Sequence, residues 1–368
     1  MKTILIATGI YPPDIGGPSV YAELISRGLG PEYDTIVLAY SKTLPRMPKF
    51  FRKLTYAVRA WKLAGQSDAI LALSILGVGV AAVYVAKWRN KPLIVRVAGD
   101  RAWEDAVVDG TTHLLLDDFQ KTLKRTRKQK RQEWVCKNAS AIIVPSKYLA
   151  GIVAGWGIPR EKIKLVANSA NLAVRPLSKE EARKRLGIQG NVIISVGRLV
   201  PWKGFRMLIK LMPKFLEINP FFRLVIIGDG PDKKLLATMV QNLNMQKKIF
   251  LVGKKSREEM LLYLQSAELM ILNSGYEGFS HQILEAMTAG VPVVTSNVGG
   301  NREIIRQGEN GFMVKYNDEF NIVEAVKTLW HSSELREKFI SEGKKSTAQY
   351  TPERTIRETK AVLEFIVH

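Results

Sequence analysis

Cysteine is nearly absent from this chain. Cys136 is the single one among 368 residues, so no intramolecular disulfide can form and a reducing compartment is the default expectation. Lys137 beside it would lower a thiol pKa, yet an inert thiol is the simpler expectation. Histidine is scarce too: His113, His281, His331 and His368 are scattered without the spacing of metal ligands, and no metal site is visible. The first strand-like run is not followed by Gly-x-Gly-x-x-Gly, which weakens a nicotinamide or flavin reading. Internal repeats, low-complexity segments, RNP patterns and zinc-finger patterns are all missing, so a nucleic-acid partner has no recognition signature to rest on. Residues 1–9 read as a strand and not as a charged-then-apolar leader, which argues against secretion. Long hydrophobic runs are few. The uncharged stretch 69–86 is just long enough to be weighed as a membrane span, but Ser74, Gly77 and Gly79 break it, and a buried strand, loop and helix start is expected there.

What is present is a globular composition. A hydrophobic content of 46% over 368 residues is too much chain for one ordinary core, and two domains of roughly 170 to 190 residues follow. Strand-like runs at residues 3–7, 35–39, 69–73, 93–97 and 141–144, then 192–196, 223–227, 249–252, 269–272 and 291–295, alternate with helical stretches. Such alternation gives parallel sheets with helices on both faces. The expected architecture is α/β, with two Rossmann-like doubly wound domains facing a central cleft. Domain spans of 1–175, 176–351 and 352–368 are expected, with the polar stretch 168–179, holding Asn171 and Pro176, as the linker.

The most site-like segment is Tyr276-Glu277-Gly278-Phe279-Ser280-His281-Gln282-Ile283-Leu284-Glu285-Ala286-Met287, which sets two carboxylates eight residues apart across a loop-to-helix junction. The run 268–272 before it reads as the end of a helix entering a strand. Ser280 is a good N-cap, and residues 282–289 have helical composition until Gly290 stops them. Free backbone N–H groups at Gly278, Phe279 and Ser280, at the positive end of the helix dipole, attract a phosphate or another anion. Glu285, about a turn further in, then suits the vicinal hydroxyls of a ribose, and Glu277 faces whatever hangs off the phosphate. That geometry fits a nucleotide sugar. A capped surface helix with solvated glutamates is the plain alternative, and context weighs against it. Asn191-Val192-Ile193-Ile194-Ser195-Val196-Gly197 reads as a buried strand, and Arg198-Leu199-Val200-Pro201-Trp202-Lys203-Gly204 follows at once. Two cations therefore leave the carboxyl end of a strand, where open parallel sheets bind ligands. A guanidinium takes phosphate bidentately, and an ammonium adds a movable point charge.

On these residues the chain resembles the retaining glycosyltransferases of family 4, which have the GT-B fold. The Arg198 and Lys203 pair, Gly228-Asp229-Gly230-Pro231, Gly253, the Glu277 and Glu285 motif, Gly290-Val291-Pro292-Val293-Val294 and Gly299-Gly300 with Glu303-Ile304-Ile305 run in the family's order and spacing. This ensemble covers about residues 191–311. The N-terminal match is thinner: Tyr11-Pro12-Pro13 and Gly16-Gly17-Pro18-Ser19-Val20-Tyr21 follow the first strand, as the family's glycine loop does. The resemblance implies that Gly16 and Gly17 lie near the donor phosphates or the acceptor, and that the last helix, 352–367, crosses back to the first domain. It also implies a departure. Many members have a histidine near residue 100, where this chain has Asp100; that residue either touches a sugar hydroxyl, activates the acceptor, or simply caps the helix after it.

Charge bears on the acceptor. The net charge is +21, with 27 Lys and Arg against 13 Asp and Glu in residues 1–175 and 28 against 21 in the rest. Two clusters hold the excess. Arg46, Lys49, Arg52, Lys53, Arg59 and Lys62 interleave with Phe50, Phe51, Tyr56 and Trp61, and a second run spans residues 121–131. The first reads as an interfacial helix, its aromatics, Phe50, Phe51 and Trp61, entering lipid while Lys49, Arg52 and Lys53 meet anionic headgroups. A solvated helix face is the alternative.

The resulting expectation is a glycosyltransferase that moves a sugar, with retention, from a UDP- or GDP-linked donor to a lipid-linked or membrane-glycan acceptor. Glu277, Arg198, Lys203 and Asp100 are the expected catalytic residues; Gly16, Gly17, Gly253, Gly278, Phe279, Ser280 and Glu285 the donor-binding ones. Cations and helix-end amides replace a divalent metal, no cofactor is needed, and a cytoplasmic protein resting on the inner face of the cell membrane follows. A non-hydrolysing sugar-nucleotide epimerase and a catalytically silent membrane-bound scaffold are the rival readings.

Overall fold

The computed structural model describes residues 1–14, 16–43, 48–170, 172 and 177–367, and of Lys49 the backbone alone. Arg46, Asn171, Pro176, His368, the boundary expected at 175/176 and the side chain of Lys49 thus lie outside the described residues. The chain divides into two compact units, one of Met1–Ala106 and Asp117–Asn168 with the C-terminal helix Pro352–Val367, the other of Val107–Leu116 and Ser169–Thr351.

The first unit is built on strands β1 (Lys2–Thr8), β2 (Tyr33–Ala39), β3 (Ala69–Ala72), β4 (Leu93–Arg96), β5 (Ala141–Val144) and β6 (Ile163–Leu165), all parallel in the order β2-β1-β3-β4-β5-β6. The second uses β7 (Asn191–Val196), β8 (Phe222–Ile227), β9 (Ile249–Gly253), β10 (Ala267–Leu272), β11 (Val293–Ser296) and β12 (Phe312–Val314), parallel in the order β12-β11-β10-β7-β8-β9. Parallel strands are covered on both faces, so their sequences are apolar runs such as Ala141–Val144, buried at every position. Each sheet reverses strand order once, between β1 and β3 in the first and between β7 and β10 in the second. Such reversals are where doubly wound sheets open a ligand crevice at their carboxyl ends.

Residues 69–86 form β3 and the start of the helix Val78–Arg89, and among the described residues no helix is long and apolar enough to cross a membrane. Cys136 is buried, which pushes its thiol up and keeps it unreactive. The C-terminal helix belongs to the first unit's core. Val362 and Leu363 pack with Tyr21 and Ile25, the Tyr21 hydroxyl meets Thr359 Oγ1 at 2.7 Å, and Thr355 Oγ1 donates to the Ala167 carbonyl at 3.0 Å. Strand ends shift by a residue or two from the pattern reading, and Glu268 lies inside β10, not at a helix end, with its carboxylate held by Lys179 and Arg183 at 2.7 and 2.5 Å.

Candidate active site

The second unit's switch point is built by the loops after β7 and β10. After β7, Pro201 opens a single 3₁₀ turn, Pro201–Lys203, that buries Trp202, and Gly204 ends it with φ of 62°. Pro sets φ for the turn's first residue, and glycine takes the left-handed backbone at its end. After β10, Asn273 and Ser274 lead into Glu277, and Ser280 caps the helix His281–Thr288, accepting from the Ile283 N–H at 3.3 Å. Backbone and side chains staple the two loops: Gly275 N–H donates to the Trp202 carbonyl at 2.7 Å, and Asn273 Nδ2 to the Gly204 carbonyl at 3.3 Å.

That staple brings Lys203 to Glu277. Nζ lies 2.5 Å from Oε1, with the two side chains 12% and 9% exposed. Ser274 Oγ donates to the same oxygen at 2.6 Å, and Gly300 N–H donates to the Glu277 carbonyl at 3.0 Å. Ser274 is itself fixed, its N–H donating to Ser296 Oγ at 2.9 Å. Glu277 is therefore held and charge-compensated by its own surroundings. Ser274 and Ser296 escape a reading of the sequence, because nothing but their place between strand ends and Glu277 marks them.

Gly278, Phe279 and Ser280 are buried in the same loop. The Phe279 ring packs edge-on to Tyr350 at 5.3 Å, which leaves its backbone as the part available for a donor. Among the described residues the N–H groups of Gly278 and Ser280 make no hydrogen bond, so they stand ready for an anion at a helix start. Arg198 leaves β7 exposed to solvent. Glu285 rides one turn into the helix, where desolvation pushes its carboxyl up to about 7 against the pull of Arg257. Gly253 ends β9, its carbonyl taking the Gly228 N–H at 2.9 Å, with β8 and β7 between it and β10, the strand before Glu277's loop.

The remaining expected residues belong to the first unit. Gly16 ends the loop after β1, at that sheet's own switch point, and its carbonyl accepts from Ser19 and Val20 at 3.0 and 3.1 Å as the helix Gly17–Gly28 begins. Asp100 is fully buried: Oδ1 accepts the Trp103 N–H at 2.9 Å and Oδ2 the Gln120 amide at 2.6 Å. This is the geometry of a cap on the helix Arg101–Val108, and burial pushes its carboxyl up.

The basic aromatic segment forms the helix Lys49–Ala64. Tyr56, Ala60 and Ala64 face the core, while Phe50, Leu54, Val58 and Trp61, at helical spacing, are exposed, Phe50 by 74%. Phe51 and Lys53 are exposed beside them, but Arg52 turns inward, its guanidinium 4.2 Å over the Tyr40 ring. Arg89 stacks at 3.6 Å on Trp61, and its helix adds Tyr84 and Trp88, the latter 73% exposed. In the second basic cluster, Lys121, Arg125 and Lys128 are compensated by Asp118, Glu133 and Asp105.

Two Rossmann-like units, each a six-stranded parallel sheet with a strand reversal, make up the GT-B architecture. The chain belongs to glycosyltransferase family 4: residues 15–174 match the family model "Glycosyltransferase Family 4" and residues 178–346 match "Glycosyl transferases group 1". An uncharacterized glycosyltransferase of Methanocaldococcus jannaschii is 28% identical over 97% of this chain and 96% of its own length. A Campylobacter jejuni N-acetylgalactosamine-N,N'-diacetylbacillosaminyl-diphospho-undecaprenol 4-alpha-N-acetylgalactosaminyltransferase is 26% identical over 53% of this chain and 52% of its own. Among solved structures, Anabaena HepE in complex with UDP-glucose superposes with a TM-score of 0.79 at 17% identity, covering 99% of this chain and all of that one.

Proposed function

We propose that this enzyme transfers a hexosyl group, with retention and without a divalent metal, from a UDP- or GDP-sugar to a lipid-linked or membrane-glycan acceptor at an anionic bilayer on the cytoplasmic side. The observation that carries the reading is the Lys203 and Glu277 pair held by Ser274, in the same loop as the open amides of Gly278 and Ser280. Departure of a nucleoside diphosphate builds negative charge, and preorganised cations and N–H dipoles stabilise it where it forms. Arg198 and Lys203 supply the cations, the helix-start amides the dipoles. Glu277, oriented by Lys203 and Ser274, holds the sugar's hydroxyls, and its carboxylate offsets positive charge at the anomeric carbon without attacking it. The diphospho-undecaprenol in the Campylobacter relative's name and the exposed aromatic stripe support the lipid-linked acceptor.

A screen of UDP-, GDP- and ADP-sugars for thermal stabilisation should pick out one nucleotide, since a ligand of the folded state alone raises its melting temperature. Transfer should then survive EDTA; loss restored only by magnesium would overturn metal independence. Product analysis separates the rivals, because an epimerase needs no acceptor and a scaffold yields no product.

Glu285 gives a pH signature. Its raised pKa means that the folded state takes up the proton more readily than the unfolded chain. The stability it contributes is full below the ordinary glutamate pKa and is lost as pH rises through about 7. Ribose hydroxyls donating to the carboxylate favour its charged form, so nucleotide binding near neutral pH is expected to release a proton. Calorimetry in two buffers of different ionisation enthalpy measures this. Glu285→Gln should abolish the release and weaken binding by roughly 1.5–3 kcal/mol; binding without proton release in the wild type would take the ribose away from Glu285.

A further inference from the structure

The two oxygens of the Glu277 carboxylate are not equivalent. Lys203 Nζ and Ser274 Oγ both meet Oε1, at 2.5 and 2.6 Å, while Oε2 has no hydrogen-bond partner among the described residues. A carboxylate turns about its last bond in a broad two-fold well, and an ammonium on a flexible stem follows it. The lysine alone therefore does not set the plane of the carboxylate. A serine reaches its partner through a single χ1, so its oxygen is as well placed as its backbone. Whatever holds the backbone of Ser274 decides how Glu277 is presented.

Ser274 lies beyond the end of β10, where the ladder to β11 has stopped at the pair Leu272 and Thr295. One side chain takes the ladder's place. Ser296 Oγ, on the last residue of β11, accepts the Ser274 N–H at 2.9 Å and donates to the Ser274 carbonyl, with the Leu272 carbonyl further off at 3.4 Å. A hydroxyl is donor and acceptor at once, and here it brackets both backbone groups of one residue. Ser296 is anchored in turn from the 3₁₀ turn Gly299–Glu303. Asn301 Nδ2 donates to the Ser296 carbonyl at 3.2 Å and to Thr295 Oγ1 at 2.9 Å, and Thr295 Oγ1 donates to the Leu272 carbonyl at 3.1 Å. Asn301 Oδ1 is left buried without a partner among the described residues, so its two donors are what the amide brings to this place. Ser274, Thr295, Ser296 and Asn301 are all fully buried. Burying polar groups costs free energy, and their directional bonds fix one arrangement where apolar side chains would allow several. That arrangement ends on Glu277.

We propose that Ser296, held by Asn301, is a positioning residue for Glu277: through Ser274 it keeps Oε1 occupied and leaves Oε2 to the donor sugar. This rests on the reading of Glu277 as the carboxylate beside the anomeric carbon. The test uses the intact protein, with turnover of UDP- and GDP-sugars read as release of the nucleoside diphosphate, UDP and GDP affinities by calorimetry, and thermal melts. Ser274→Ala and Ser296→Ala should each lower kcat about tenfold or more, the scale of a slightly misaligned group, and leave nucleotide affinity within about twofold. Ser274→Ala/Ser296→Ala should have the kcat of Ser274→Ala alone, because the relay is already cut. Its melting temperature should nonetheless fall below that of either single variant, since the backbone bracket and the bond to Glu277 are lost separately. Ser296→Cys, a weaker donor and acceptor, should fall between Ser296→Ala and the wild type in kcat, and it stands in for the alanine variant if that one does not fold. Wild-type kcat in the Ser296 variants, or a double variant whose loss is the product of the two single losses, overturns the relay. Nucleotide affinity lost along with kcat makes the serines part of the donor pocket and likewise overturns it. A wild type that turns over no sugar nucleotide overturns the reading beneath it.

Discussion

Lys203→Ala is expected to lower turnover by about a hundredfold or more, the scale of losing one charge-stabilising donor, on the order of 3 kcal/mol of the barrier. The same substitution should destabilise the fold. Lys203 and Glu277 are both nearly buried, and removing one partner of a buried pair strands the other charge, typically at about 3–5 kcal/mol. Ser274 would remain as a donor to Glu277 Oε1, which places the cost at the low end. The two effects separate in Lys203→Ala/Glu277→Gln. With no stranded carboxylate, its melting temperature should recover most of the loss while turnover stays down. Single-turnover rates and thermal melts of the wild type, both single variants and the double variant complete the cycle. A Lys203→Ala protein with wild-type turnover would remove the lysine from the chemistry and leave it a structural counter-ion.

The parts of this molecule legible in its sequence are those governed by local pattern. Ten strands announce themselves because parallel strands buried on both faces need uninterrupted apolar runs. Edge strands β6 and β12 do not, being three residues long and only partly buried. The helix His281–Thr288 was legible from Ser280 before it and Gly290 after it, since cap and stop signals are local. Pairings across the sheet order were not. Lys203 and Glu277 are 74 residues apart and meet only because β7 and β10 are neighbours at the strand reversal. Asp100 was legible only as alternatives, a contact to a sugar hydroxyl, an activator of the acceptor or a helix cap; the structure shows the Trp103 N–H and the Gln120 amide on its oxygens, and nothing local in the sequence places Gln120 there. The helix Lys49–Ala64 was read from its mix of cations and aromatics, which does not tell Tyr56, turned to the core, from the exposed Phe50, Phe51 and Trp61, and the neighbouring Tyr84 and Trp88 come from a second helix packing alongside.

Gly204→Ala should damage the site without touching any charged group. Its φ of 62° costs a residue with a side chain roughly 1–2 kcal/mol, and the new Cβ would stand 2.0 Å from the Asn273 carbonyl oxygen and 2.4 Å from Asn273 Nδ2. A flexible side-chain tip could swing away, but a backbone carbonyl at a strand end cannot. The loop after β7 must therefore back off from the loop after β10, with an overpacking cost of about 1–3 kcal/mol added to the strain. Asn273 is further tied to Asn317, whose N–H reaches Asn273 Oδ1 at 2.9 Å, so yielding on that side disrupts a second turn. Separation of the two loops lengthens the Lys203 and Glu277 contact, and turnover should fall by about tenfold or more in molecules that stay folded. Gly187 is the control, having a similar φ of 65° but open space where its Cβ would go. Gly187→Ala should show the strain alone, with wild-type turnover. Melting temperatures and turnover for the two alanine variants side by side decide the matter: if Gly204→Ala is no worse than Gly187→Ala in either measure, close approach of the loops is not what aligns the lysine with the glutamate.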